Sequence, residues 1–166
     1  VTLQRALAPE GDAVLYQGRP IHVNAWARRF LFREEQLVQP VGSLSGGERA
    51  RIHIAKLMLE EADVLLMDEP TNDLDLATLE VLEDSLLEFP GSLVLVTHDR
   101  YLLERVTSAI LGLDGQGGAG LFADLSQWET WLEERRAERI QAERPPARRE
   151  AEAAKPSIGK KRLSYL

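Results

Sequence analysis

Apolar positions recur at two different periods along this chain, and the changes of period mark its elements. Between Glu48 and Glu61, Ile52, Ala55 and Leu59 fall on one side and charged residues on the other. That is the 3.6-residue repeat of a helix with one buried face. Val64–Met67 is an unbroken apolar run between Asp63 and Asp68-Glu69-Pro70, the pattern of a buried parallel strand. Leu79, Leu82 and Leu86 make a second helical stripe over Leu76–Leu87, with Asp75 placed to cap it. Pro90-Gly91 turns the chain into a second apolar run, Leu93–Val96, and a third helix is predicted from about Asp99 to Val106. Strand, helix, strand, helix predicts an α/β fold: a parallel-sheet core with right-handed crossovers.

The flanks are patterned differently. Ala13–Tyr16 and Ile21–Val23, around Gly18-Arg19-Pro20, suggest a short hairpin. Asn24 is a candidate cap for a helix over Ala25–Phe32 that carries Trp26, Phe30 and Leu31, and Gln39-Pro40-Val41-Gly42 breaks the chain after it. Ala109–Leu113 and Leu121–Ala123 flank a glycine-rich turn, which predicts a second hairpin. Ser126 and Glu129 fit a capping box opening a polar helix that runs to about Arg144. Trp128, Trp131 and Leu132 are the patch expected to dock it on the body. Pro145-Pro146 ends that helix, and Ala147–Leu166 has the composition of a disordered linker.

Composition narrows the classes. At 44% hydrophobic and 28% charged residues the chain is globular in the main. With no cysteine it has no disulfide, no thiolate metal site and no cysteine nucleophile. No apolar run approaches the roughly 18 residues of a membrane-spanning helix. Charge is unevenly placed. From Arg144 onward seven basic residues face two acidic ones, a net +5, so with −7 overall the preceding residues carry −12. An acidic body with a basic end suggests either a segment that meets nucleic acid or a solvated linker.

Three local patterns carry chemistry. Leu44-Ser45-Gly46-Gly47-Glu48 opens a helix, and two glycines with a hydroxyl at a helix N-terminus suit an oxyanion. Taken alone, Ser45 and Glu48 favour a plain capping box. Asp68-Glu69 ends the first strand, where ligands of open α/β sheets sit. Asp68 is placed to orient Mg²⁺, often through water, and Glu69 to polarise an attacking water; a solvated acidic pair before Pro70 accounts for them equally. Thr97-His98-Asp99 ends the other strand. His98 there can contact a phosphoryl oxygen, although a lone histidine after a strand is more often only a surface residue; His22 and His53 are given that surface role. Between the strands lies Asn72-Asp73-Leu74-Asp75, directly after Pro70-Thr71. Each piece is weak alone, and their fixed order is specific. Gly115–Gly120 matches G-x-G-x-x-G, but no helix opens at Gly120 and Asp114-Gly115 signals a hairpin turn instead.

In that order the motifs resemble the C-terminal part of an ATP-binding-cassette (ABC) ATPase domain, a partial P-loop NTPase fold. Leu44–Glu48 is similar to the signature motif, Val64–Asp68 to the Walker B strand, Glu69 to the catalytic glutamate, Asn72–Asp75 to the D-loop and His98 to the switch histidine. Glu69–Asp75 and Thr97–Tyr101 resemble the ABC-F group, proteins with two cassettes in one chain and no membrane domain. Trp26–Gln36 and the tail Lys160–Tyr165 look like its Uup-type members.

The resemblance implies residues 1–124 as the C-terminal portion of a cassette with part of its helical subdomain, 125–145 as a C-terminal helix and 146–166 as a basic linker. It implies ATP and Mg²⁺ as cofactors, with Asp68 towards the metal through water and Glu69 and His98 catalytic. Ser45, Gly46, Gly47 and Glu48 would reach ATP held by a second cassette, and Asn72, Asp73, Leu74 and Asp75 would form the D-loop. It implies a cytoplasmic ATPase whose closure acts on the ribosome or RNA, or on branched DNA. No G-x-x-x-x-G-K-[ST] pattern occurs; Gly159-Lys160 has no glycine-rich loop around it. The chain, starting at Val1, is therefore expected to be a piece of a cassette that is inactive alone. The alternatives are the ATP-binding subunit of a membrane transporter and a non-catalytic interaction module without a P-loop.

Overall fold

The computed structural model describes residues 1–143, which fall into two compact units, one from Val1 to Ser108 and one beginning at Ala109. The predicted end of the last helix at Pro145-Pro146 and the basic linker 146–166 lie outside the described residues.

The first unit opens with a short helix, α1 (Leu3–Leu7), that the sequence pattern had not suggested. Thr2 caps it, and Leu3 and Leu7 are buried. β1 (Ala13–Tyr16) and β2 (Arg19–His22) form the expected antiparallel hairpin. α2 (Val23–Arg29) begins earlier than predicted. His22, not Asn24, is its cap: the imidazole Nδ1 accepts from the Asn24 N–H at 3.2 Å. Two single 3₁₀ turns, Glu34–Gln36 and Val41–Ser43, lead to α3 (Gly46–Leu57). Then come β3 (Val64–Asp68), α4 (Leu76–Glu88), β4 (Ser92–Val96) and α5 (Arg100–Val106). β3 and β4 pair in parallel, from Val64 opposite Ser92 to Asp68 opposite Val96.

Trp26 anchors the core at 1% exposure, tilted against Phe30 with ring centroids 5.1 Å apart. Its indole N–H donates to the carbonyl of Ala55 at 3.3 Å, tying α2 to the last turn of α3. The core continues through Ile52, Ala55, Leu65, Leu82, Leu86 and Leu102. The strands are not buried on both faces as expected. Leu65, Met67, Leu93 and Leu95 join the core, whereas Val64, Leu66, Val94 and Val96 are exposed. Parallel strands are ordinarily covered on both sides, and among the described residues nothing covers the second one.

In the second unit β5 (Ile110–Leu113) and β6 (Ala119–Phe122) form the predicted hairpin. Gly115 and Gly117 adopt positive φ, and the Asp114 carboxylate accepts from the amides of Gln116 and Gly118 at 2.8 Å. The G-x-G-x-x-G match is thus a turn. α6 (Leu125–Glu143) starts one residue before Ser126. Asp124 accepts from the Gln127 amide at 2.9 Å, so Ser126 lies inside the helix and does not cap it. Trp128 packs over Gly112, where a side chain would meet its indole, and Trp131 packs on Phe122 at 5.3 Å between centroids.

Candidate active site

The chemistry-bearing residues form two groups in the first unit. The first is at the C-terminal ends of β3 and β4. The ladder runs one bond past the strands, with the Glu69 N–H donating to Val96 O at 2.7 Å. Glu69 itself lies in the left-handed region, φ 46°, and its side chain faces the turn after β4. There the Glu69 carboxylate accepts from the Thr97 hydroxyl and from the His98 backbone N–H, both at 3.4 Å, and lies 3.6 Å from His98 Nε2. The His98 ring is fully exposed while Glu69 is mostly covered. Thr97 also orders the turn, its hydroxyl accepting from the Asp99 N–H at 3.1 Å. Asp99 in turn caps α5 through the Leu102 amide at 3.0 Å.

Asp68 ends β3 with an exposed side chain. Among the described residues no group of three His, Cys, Asp or Glu side chains could enclose a metal. An open carboxylate set fits Mg²⁺ nonetheless, because that ion keeps several waters and takes one or two carboxylates together with substrate phosphates.

The second group is at the start of α3. Ser45 and Glu48 form the capping box in full. The Glu48 N–H donates to Ser45 Oγ at 3.2 Å, and the Ser45 N–H to Glu48 Oε2 at 2.8 Å. The box takes the third helical amide and the cap's own amide. The first two amides, of Gly46 and Gly47, have no intrahelical acceptor by geometry. The capping and anion-binding readings are therefore compatible. Gln36, which the sequence reasoning missed, is buried and donates to Glu48 Oε1 at 2.5 Å. The amide and hydroxyl of Ser45, then Gln36 and Arg51, hold the Glu48 carboxyl below its ordinary range against a smaller opposing effect of burial.

The Asn72–Asp75 segment joins the groups. The Asn72 N–H donates to Glu69 O at 3.2 Å, and Asp73 turns with φ 61°. Asp75 caps α4, accepting from the Thr78 amide at 2.8 Å. Thr78, through its hydroxyl and then its backbone, holds the Asp75 carboxyl below its ordinary range. Gly47 packs on this cap: any side chain there would overlap the Asp75 carboxylate. His53 stays on the exposed side of α3, as expected, with no role in either group.

Asp68-Glu69 and Thr97-His98 thus lie together at the ends of two parallel strands, in the same unit as a glycine-opened helix. Residues 3–72 match the family model described as ABC transporter. The chain is 47% identical over 119 residues to the ATP-binding protein Uup of Caulobacter vibrioides, covering 71% of this chain and 20% of that protein. It is 45% identical over 109 residues to the energy-dependent translational throttle protein EttA of Haemophilus influenzae, 63% of this chain and 20% of that one. A crystal structure of the archaeal ribosome recycling factor aABCE1 with ribosomal stalk protein aP1 superposes with a TM-score of 0.50 at 23% identity, over 66% of this chain and 22% of that one, a likeness of fold. The chain is similar to ABC ATP-binding-cassette proteins, and among them to the ABC-F proteins Uup and EttA. It spans about one fifth of the length of these relatives.

Proposed function

We propose that these residues form the hydrolytic and signature-bearing part of an ABC-F cassette that couples ATP binding and hydrolysis to closure of two cassettes. The observation that carries the reading is the Glu69 carboxylate, held beside His98 at the ends of two parallel strands. A carboxylate held there can take a proton from an attacking water. His98, exposed beside it, orients the γ-phosphate and that water. Asp68 would hold Mg²⁺ through water, and the bound ion supplies charge neutralisation at the phosphates. The Gly46 and Gly47 amides, with Ser45, contact the γ-phosphate of ATP on the opposite cassette. The phosphate-gripping P-loop is supplied from outside these 166 residues.

Relatives named for ATP binding and for throttling translation support an ABC-F protein over a transporter subunit. They favour the ribosome as target, with branched DNA the second candidate. The test is ATP turnover by the two-cassette protein. Glu69→Gln should abolish hydrolysis while ATP still binds. Normal turnover by that variant would remove Glu69 from the chemistry.

A further inference from the structure

Thr78 is fully buried in the first turn of α4, and a buried hydroxyl is costly unless its hydrogen bonds are made. This one has partners from three directions. It accepts from Arg51 Nη1 at 3.3 Å and lies 3.3 Å from the carbonyl of Gly47, to which it donates. It also acts on the Asp75 carboxylate, which its backbone amide caps. A hydroxyl carries one proton; here it goes to the Gly47 carbonyl, while the backbone amide of the same residue holds the Asp75 carboxylate. Arg51 is itself fixed, its guanidinium 5.4 Å over the Phe32 ring and 4.0 Å from Asp75 Oδ1. Gly47 lies so close to Asp75 that no side chain fits between them.

We infer that Thr78 is a positioning residue: its buried hydroxyl, set between the Gly47 carbonyl and the Asp75 cap, makes the placement of the Gly46 and Gly47 amides depend on the Asn72–Asp75 segment. That segment is bonded at its other end to Glu69, so this hydroxyl, beside the direct packing of Gly47 on Asp75, links the strand ends to the signature loop. The inference rests on the ATPase reading above and adds to it a residue whose hydroxyl is buried away from solvent.

The test uses the two-cassette protein carrying Glu69→Gln, with fluorescent labels on the two cassettes, and reads closure as ATP is raised. Thr78→Val keeps the shape and removes the hydroxyl. One net hydrogen bond corresponds to roughly 3- to 10-fold in an equilibrium, so the ATP midpoint for closure should rise by about that factor. Thr78→Ser should restore it. ADP affinity of the open cassettes should be unchanged, a split that general loss of packing would not produce. If Thr78→Val fails to fold, Thr78→Ala takes its place. An unchanged midpoint in the variant, or a Ser variant as impaired as Val, overturns the positioning role of Thr78 while leaving the ATPase reading intact. Failure of the Glu69→Gln parent to close at all overturns both, and is recognised before any Thr78 variant is made.

Discussion

His98 meets Glu69 twice: its backbone N–H donates to Glu69 Oε2 at 3.4 Å, and its ring Nε2 stands 3.6 Å from Oε1. The backbone contact persists when the ring is removed. His98→Ala should therefore leave Glu69 in place and lower turnover of the two-cassette protein less than Glu69→Gln does. A positioned base contributes roughly 10²- to 10⁴-fold, so Glu69→Gln should fall by at least about 10². Steady-state phosphate release compares the two. Equal losses would mean that the ring, not only the backbone, sets the carboxylate.

The 166-residue chain alone contains no P-loop pattern. It should bind Mg-ATP weakly and release phosphate no faster than its own Glu69→Gln variant. Turnover well above that control would place the phosphate-binding machinery within these residues.

Gly47 cannot carry a side chain without displacing Asp75. Gly47→Ala should destabilise the chain by about 1–3 kcal/mol, the usual cost of overpacking. Gly46→Ala, where the added carbon meets nothing, should be much milder. Thermal unfolding of both variants checks the contrast.

Much of this was legible in the sequence because local rules coincide with tertiary need. Asp75 caps α4 and Asp99 opens α5 where the pattern put them, and both hairpins follow their turn residues. Other features were hidden. α1 is too short for any period to register, and His22 gave no sign that it would cap α2 in place of Asn24. Ser126 imitates a cap two residues late, because the Asp124 carboxylate already accepts from the Gln127 amide. At the site, motif order marked Glu69 and Ser45. The supports, Gln36 on Glu48 and Thr78 on Gly47, depend on contacts between residues 12 and 31 positions apart, which no local pattern encodes.

Glu48 and Asp75 both have folded carboxyl pKa values below their ordinary ones. For such groups the stabilisation is complete above the unfolded value and is lost as pH falls through the folded one. Stability should hold above about pH 5 and decline through and below about pH 4, the ordinary carboxylate range. Denaturant midpoints across that range should show the decline, and Glu48→Gln should flatten it. An equally steep acid limb in that variant would assign the effect to other carboxylates.

The central claim is that two residues 24 positions apart do different jobs: Glu69 in the chemistry, Ser45 in closure. Inter-cassette fluorescence distance in saturating ATP, measured on the two-cassette protein, separates them. Glu69→Gln should accumulate the closed state because ATP binds and is not consumed. Ser45→Arg puts bulk and charge at the helix opening, so ATP should still dock while no closed state accumulates, although hydrolysis is low in both. If both variants close alike in ATP, the Ser45–Glu48 motif is a helix cap and nothing more, and the cross-cassette assignment fails.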